Sequence, residues 1–130
     1  MIKRLIEKLK ASVGKEAPLG QRGEDAAARF LEGKGYRVVE RNFSTRYGEV
    51  DIICRKGGTL VFVEVKTRGE RRLGEPLESV GSAKRARIMA AAKEYLQKSS
   101  YSGSARFDVI GIVAAGGAMK VEHIEDAFTE

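Results

Sequence analysis

Several residue types are scarce in this sequence of 130 residues, which has no tryptophan, one cysteine, one histidine and two prolines. A single cysteine excludes an internal disulfide and suits a reducing compartment, so we expect a cytoplasmic protein. Cys54 and His123 cannot supply a zinc site by themselves. We expect Cys54 to be a small core residue and His123 to lie at the surface or at a sheet edge.

Long hydrophobic runs are also absent, and no stretch approaches the length of a transmembrane span. The N-terminus does not resemble a signal peptide, because Ile2, Leu5, Ile6 and Leu9 are interleaved with lysine and arginine. Their spacing predicts a basic amphipathic arm over residues 1–18, which docks on the domain, on a protein partner or on a membrane surface. Residues 19–130 are long enough for a single domain with its own core.

Positive charge predominates in the composition. Lys and Arg number 24 against 18 Asp and Glu, so the formal net charge is +6 and the pI is about 9.6. This balance favours a polyanion such as nucleic acid as the partner, although many soluble proteins share it.

The stretch 48–66 is typical of two strands joined by a tight turn, because it is rich in β-branched and aromatic residues. Gly57-Gly58 can close a two-residue hairpin, in which we expect φ > 0 at both central positions. This turn predicts that residues 50–55 pair antiparallel with residues 60–65. Asp51 would then lie opposite Glu64, and Glu49 opposite Lys66.

Two opposed carboxylates in an apolar hairpin require an explanation, because like charges directly across a sheet are destabilising. A divalent cation between Asp51 and Glu64 is the economical explanation. Lys66 follows Glu64 by two residues and therefore shares its face. The alternative is a solvated strand face, with Glu49 and Lys66 as a cross-strand ion pair.

The segment 20–34 has the periodicity of a helix, with Glu24 near the middle of a stripe of small and apolar residues. A carboxylate there is costly unless it is paired or bound to a metal. A capping or salt-bridging role in the first turn, where the helix dipole favours negative charge, is the alternative.

A second helix is predicted from a cap at Ser79 or Ser82 to about Gln97. Its first turn is basic, which opposes the helix dipole unless an anion binds there. More arginines follow the hairpin in a charged loop, where either phosphate contacts or simple solvation would explain them. The predicted nucleic-acid-binding residues are Arg68, Arg71, Arg72, Lys84, Arg85 and Arg87.

Further strands are predicted over residues 36–41, 106–113 and 119–124. Asp108, in the second of these, is either a further site carboxylate or half of a structural ion pair with an arginine. Helices and strands therefore alternate in an α/β order.

The order helix, strand, hairpin, helix, strand, with Glu in the first helix and D…E-x-K on the hairpin, resembles the PD-(D/E)XK nuclease superfamily. More closely, the chain resembles the YraN-type family of bacterial endonucleases, relatives of archaeal-type Holliday-junction resolvases. The resemblance covers about residues 19–113. The matching stretches are GQRGE at 20–24, Arg41-Asn42, GEVDI at 48–52, FVEVKTR at 62–68, Lys84 and RFDV at 106–109.

The resemblance implies a restriction-endonuclease-like core, with a central mixed sheet flanked by helices in αβββαβ order. It implies a metal-dependent nuclease acting on DNA, including branched or flapped structures, with Mg²⁺ or Mn²⁺ held by Asp51, Glu64 and the Val65 carbonyl. Lys66 would be the catalytic lysine and Glu24 an accessory carboxylate. Val50 replaces the proline that precedes the aspartate in the superfamily signature.

The sequence also fits a function other than catalysis and an assembly of more than one chain. The other function is that of a catalytically silent module with the nuclease fold that binds nucleic acid or a protein partner. A homodimer and a protein partner at the N-terminal arm are further expectations.

Overall fold

The computed structural model describes residues 18–69 and 80–129, which form two helices and five strands. The N-terminal arm, except for Pro18, and the loop that carries Arg71 and Arg72 lie outside these residues. The elements are α1 (Leu19–Gly33), β1 (Arg37–Ser44), β2 (Glu49–Lys56), β3 (Thr59–Arg68), α2 (Ser82–Ser99), β4 (Ser104–Ala115) and β5 (Ala118–Ile124).

The strands form one mixed sheet in the order β1-β2-β3-β4-β5. Strands β1, β2 and β3 pair antiparallel, β3 and β4 pair parallel, and β4 and β5 pair antiparallel. The parallel pair requires a crossover connection, and α2 lies within it. This arrangement confirms the predicted α/β class and is consistent with a restriction-endonuclease-like core.

The two helices cover opposite faces of the sheet, each over its own apolar core. Helix α1 buries Ala27, Ala28 and Leu31 in one core, which also contains the fully buried Cys54. Helix α2 buries Ile88, Ala91 and Ala92 in the other core. The predicted packing stripe of α1 and the core position of Cys54 are confirmed.

Glycines set the position and the end of α1. A Cβ atom at Gly23 would collide with the side chain of Thr67 on β3, so this glycine lets the helix approach the sheet closely. Gly35 follows the last turn with φ +89° and ends the helix, as the sequence predicts.

Two local predictions are wrong. The N-cap of α2 is Gly81 and makes no side-chain cap hydrogen bond, so Ser82 is the first helical residue rather than the cap. Ser79 lies outside the described residues. In the β2–β3 turn only Gly57 has positive φ, at +59°, which fits a type II′ turn rather than two positive angles.

Asp108 is fully buried on the α1 side of the sheet and is fully paired. Arg106 donates to both carboxylate oxygens, at 2.8 and 2.9 Å, and the Asp126 backbone N–H donates at 3.0 Å. Burial raises the pKa of Asp108, but the hydrogen bonds from His123, Arg106 and Asp126 outweigh it, so the pKa is lowered overall. Of the two alternatives for Asp108, the structural ion pair is the one observed.

Of the two positions expected for His123, the sheet edge is confirmed, because His123 lies on the edge strand β5, and the surface position is wrong. Its side chain is only 4% exposed, its Nε2 lies 2.7 Å from Asp108 Oδ2, and its ring contacts Phe30 of α1 edge-on. Its Nδ1 lies 3.3 Å from the Lys34 ammonium, which can only donate, so the neutral tautomer with the proton on Nε2 fits both contacts. Although β5 is an edge strand, the buried carboxylate of Asp108 draws the ring inward.

Candidate metal and phosphate site

The hairpin forms with the predicted register over most of its length. Lys56 faces Thr59, and the ladder continues to Ile52 facing Val63. It stops there, one residue before Asp51 and Glu64 would meet. The pairing of residues 50–55 with 60–65 is therefore confirmed at its turn end, and the two acids lie just beyond the last paired residues.

The side chain of Asp51 explains why the ladder stops. Its Oδ2 accepts a hydrogen bond from the Val65 backbone N–H at 2.8 Å. In a continued ladder the hydrogen-bonded pairs recur at every second residue, and this N–H would donate to the Val50 carbonyl. The Asp51 carboxylate therefore replaces a backbone acceptor at the point where the strands part.

Asp51 and Glu64 line the same cavity, and the negative charge of Glu64 acts on Asp51. Glu64 is 4% exposed, and Asp51 is half-buried. The pKa of Asp51 is raised to about 7, first by burial and then by the negative charge of Glu64, which together outweigh the hydrogen bond from Val65. The charge of Glu24 and the hydrogen bond to Glu64 also favour the protonated form of Asp51. Negative charge on Asp51 is therefore less favourable in the folded protein than in water.

Lys84, in the first turn of α2, reaches this pair with its ammonium group. Its Nζ lies 2.6 Å from Glu64 Oε1, and this hydrogen bond raises the pKa of Lys84. The side chain remains 55% exposed. The sequence predicts Lys84 as a phosphate contact on the helix, whereas in the structure its ammonium lies at the carboxylates themselves.

The acids open into a cavity of about 570 Å³ between the β1–β2 loop and α2. Within the described ranges, Glu24 and Lys66 do not line this cavity. Its lining consists of Ser44, Thr45, Arg46, Tyr47, Gly48, Glu49, Asp51, Glu64, Lys84, Arg87 and Ile88.

Glu24 is held outside the cavity by two residues of β1. Arg41 donates to its Oε1 from Nε at 3.3 Å and from Nη2 at 3.1 Å, and Asn42 Nδ2 donates at 2.9 Å. The salt-bridging alternative for Glu24 is thus present in the structure. The charge of Glu24 still acts on Asp51, so an accessory role stays a prediction.

Asn42 has a left-handed backbone conformation within β1, at φ +53°. Arg41 pairs with Ile52 and Phe43 pairs with Val50, so Asn42 stands across from Asp51. Left-handed conformations of non-glycine residues are uncommon and cluster at functional sites. Asn42 therefore binds Glu24 through its side chain and lies next to the strand that carries Asp51.

The remaining predicted residues differ in their placement. Lys66 is half-buried and lies two residues beyond Glu64 on β3, and the alternation of side chains puts it on the same face. Arg68 is only 8% exposed, and its phosphate contact stays a prediction. Arg87 is exposed and lines the cavity, while Arg85 is partly exposed in the same helix. Val65 contacts Asp51 through its N–H, and the role of its carbonyl as a ligand stays a prediction.

The donor set fits a hard divalent cation. Among residues 18–69 and 80–129, no three His, Cys, Asp or Glu side chains converge as a metal-ligating group. The site therefore offers two carboxylates and backbone oxygen, a set that suits Mg²⁺ or Mn²⁺ with several waters retained. The raised pKa of Asp51 and the contact of the Lys84 ammonium with Glu64 are the features on which a cation would act.

Comparison with known proteins identifies the family. A family profile described as "Uncharacterised protein family UPF0102" matches residues 23–112, a range that includes both acids and Lys84. The chain belongs to this family. UPF0102 is the YraN-type family that the sequence motifs resemble.

UPF0102 proteins from several bacteria are similar to this chain along most of its length. The protein of Syntrophomonas wolfei is 45% identical over 111 residues, which cover 85% of this chain and 96% of that protein. The protein of Rhodococcus opacus is 47% identical over 112 residues, covering 85% and 95%. A UPF0102 protein of Geobacter sulfurreducens is 49% identical over 112 residues, covering 85% and 88%.

Sequence reasoning missed three features of this site. The contact of Lys84 with Glu64 depends on how α2 crosses the sheet, and no local pattern indicates it. The role of Arg41-Asn42 in holding Glu24 had a signal, because this dipeptide is one of the matching stretches of UPF0102. Arg46 and Tyr47 lie between the predicted strand 36–41 and the hairpin, where the sequence shows no pattern of a site, yet they line the cavity.

Neither α1 nor α2 carries an apolar stretch long enough to cross a membrane.

Proposed function

We propose that this protein is a metal-dependent nuclease that hydrolyses phosphodiester bonds in DNA. One observation carries the proposal: Asp51 and Glu64 line the same cavity, where the charge of Glu64 acts on Asp51 and the Lys84 ammonium binds Glu64. A purely structural role does not explain two such acids, because one apolar residue there would cost less free energy. Membership of UPF0102, with its nuclease-like motifs, supports the same proposal.

Asp51, Glu64 and the Val65 carbonyl would hold the metal ion. When bound, Mg²⁺ or Mn²⁺ would neutralise charge on the phosphate and lower the pKa of the attacking water. The Val65 N–H fixes the orientation of Asp51 by donating a hydrogen bond to its Oδ2. This arrangement prepares one carboxylate before substrate arrives.

The lysines supply positive charge on the α2 face of the sheet. Lys66, on the same face as Glu64, would orient the attacking water or stabilise the charge that develops on the phosphate. Lys84 neutralises Glu64 in the free protein, and its exposed side chain can turn toward a phosphate that enters the cavity. Two lysines with these roles would stabilise the two negative charges of the transition state.

The substrate class follows from the charge around the cavity. Arg46 and Arg87 line it, and the whole chain carries a net charge of +6. Arginine and lysine contacts to phosphates position a nucleic acid without reading its sequence. DNA is therefore the proposed substrate, and branched or flapped structures belong among the substrates to be tested.

The direct test is incubation with end-labelled linear, flapped and four-way DNA in Mg²⁺, Mn²⁺ or EDTA. We expect cleavage with either metal and none in EDTA. Lys66→Ala should reduce the cleavage rate by about 10²–10³-fold, the effect of losing one preorganised charge-stabilising group. Lys120→Ala, which removes the same charge from an exposed position on β5, is the matched control and should cleave like wild type. Equal cleavage by Lys66→Ala and wild type would refute the role of Lys66.

A second candidate function is a nuclease-fold module that binds nucleic acid without turnover. The observation that favours it is the ion pair of Lys84 with Glu64, which places an ammonium at the position a metal ion would need. This candidate predicts salt-sensitive DNA binding, with a log–log slope of about −0.9 per neutralised phosphate, and no cleavage in either metal. Metal-dependent cleavage by wild type decides against it.

A further inference from the structure

Tyr47 stands at the mouth of the cavity and is 54% exposed, more than any other large hydrophobic residue in the described part of the chain. Its ring lines the cavity that contains Asp51 and Glu64. It also lines a groove that continues along α2 beside Lys93 and has a volume of about 540 Å³. A single exposed aromatic residue is ordinary on a protein surface, so its surroundings must decide whether it has a role.

The backbone of the β1–β2 loop is fixed, which holds Tyr47 in place. Thr45 Oγ1 accepts hydrogen bonds from the Tyr47 N–H at 3.1 Å and the Gly48 N–H at 3.2 Å, and the Thr45 N–H donates to the Gly48 carbonyl at 2.8 Å. Gly48 lies so close to the Arg87 carbonyl of α2 that a Cβ atom would collide with it. The loop is therefore built against α2, and the ring projects from a rigid support.

Arg46 backs the aromatic ring with positive charge. Its guanidinium carbon lies 4.9 Å from the centroid of the Tyr47 ring, and its Nη2 donates to the Tyr47 hydroxyl at 2.7 Å. A cation over one part of the ring leaves the rest of its surface in solvent. An aromatic surface beside a guanidinium suits a ligand that combines a flat apolar ring with an adjacent anion.

The positive charges around the Tyr47 ring favour a ligand that contains phosphates. Lys84 and Arg87 line the cavity on one side of Tyr47. Lys93 lines the groove on the other side, together with the acidic Glu94. A backbone of successive phosphates that enters the cavity at Asp51 would continue along these cations. The nucleotide next to the bound phosphate would then meet the ring.

We propose that Tyr47 is a stacking platform for an unpaired nucleobase beside the phosphate that is cleaved. This inference rests on the proposed nuclease function and deepens it, because it names the substrate class as nucleic acid with a single-stranded segment at the site. Base faces within a continuous duplex are already stacked on their neighbours, whereas an unpaired base offers its face to an aromatic side chain. The protein therefore distinguishes frayed, flapped or single-stranded nucleic acid from intact duplex.

Binding measurements test the platform separately from cleavage. Fluorescence anisotropy in Ca²⁺ compares a labelled single-stranded oligonucleotide, a blunt duplex and a duplex with a single-stranded overhang. Tyr47→Ala should weaken binding of the single strand and the overhang by about 5- to 150-fold, the loss expected for one stacked base. Its effect on the blunt duplex should be within twofold. Tyr47→Phe restores the ring and should recover most of the affinity lost in Tyr47→Ala.

The lack of tryptophan provides a direct spectroscopic signal. The chain has four tyrosines and no tryptophan, so tyrosine emission is observable. Stacking of a base on Tyr47 should quench part of this emission when unlabelled single strand is added. Tyr47→Phe should bind the strand but lose that part of the quenching. Ile124→Ala, an exposed apolar position on β5, is the control and should match wild type in affinity and quenching.

The outcomes separate this inference from the proposed function. Equal loss of affinity for single strand and duplex in Tyr47→Ala, or no loss for either, overturns the platform, and metal-dependent cleavage by wild type would still stand. Selective loss on single strands supports the platform, even if wild type cleaves nothing. Quenching that persists in Tyr47→Phe, or tighter binding of wild type to blunt duplex, also overturns it.

Discussion

Replacement of Asp51 by asparagine should stabilise the metal-free protein, and by an amount that depends on pH. Asparagine keeps an oxygen for the Val65 N–H and adds a donor toward Glu64, but it removes a charge that the site does not neutralise. The pKa of Asp51 rises from 3.8 to about 7 in the folded protein. The folded state therefore holds this proton more tightly than the unfolded state, and stability decreases as pH rises between these values.

The size of the effect follows from the pKa difference. One pKa unit corresponds to about 1.4 kcal/mol, so a difference of about three units gives at most ~4 kcal/mol above pH 7. Water reaches the half-buried Asp51 carboxyl and screens part of this energy, so we expect ~2 kcal/mol. Asp51→Asn has no such loss of stability as pH rises. Its free energy of unfolding should exceed that of wild type by little at pH 4, by more toward pH 7, and by a constant amount above pH 7.

Urea unfolding in EDTA at pH 4, 5.5, 7 and 8 measures this advantage as the difference in free energy of unfolding. Glu122→Gln, an exposed carboxylate on β5, is the matched control and should show no such trend. Mn²⁺ should stabilise wild type by mass action but leave Asp51→Asn unchanged. A difference that is independent of pH, or a variant less stable than wild type at pH 8, would refute this account of the site.

Two further predictions concern stability away from this acid. Asp108→Asn should reduce the free energy of unfolding by about 3 kcal/mol, because it leaves Arg106 and His123 without their buried anion. The lowered pKa of Asp108 stabilises the fold above about pH 4 and this contribution is lost at lower pH, so the cost should shrink in acid, as urea unfolding will show. Gly48→Ala should cost about 1–3 kcal/mol, because its methyl group collides with the Arg87 carbonyl. A thermal melt of Gly48→Ala that matches wild type would contradict the rigid packing of the β1–β2 loop on α2.

The part of the fold that could be predicted from sequence is the part that local chemistry determines. Gly57-Gly58 allows one short turn, and this turn fixes the register from Lys56 facing Thr59 to Ile52 facing Val63. Gly35 at positive φ ends α1 where the apolar period stops. The αβββαβ order needed only these local signals and the periodicity of each segment.

Contacts between elements distant in sequence could not be predicted in the same way. Lys84 and Glu64 meet because α2 crosses the sheet between two parallel strands, a geometry that the spacing of 20 residues does not contain. His123 is buried because β5 pairs next to β4 and so places its ring at Asp108. The predicted serine cap of α2 is wrong for a local reason. Gly81 takes the extended N-cap conformation, and no serine oxygen caps the helix.

The sheet carries a buried or half-buried aspartate on each face, and the contrast between them bears on function. Asp108 receives Arg106, His123 and a backbone N–H, and its pKa falls despite complete burial. Asp51 receives one backbone N–H and faces Glu64, and its pKa rises. The same fold therefore can neutralise an aspartate on one face. On the other face Lys84 binds Glu64, while the pKa of Asp51 stays raised. A ligand that supplies positive charge would lower this pKa when it binds, and this is the behaviour that the proposed metal site predicts.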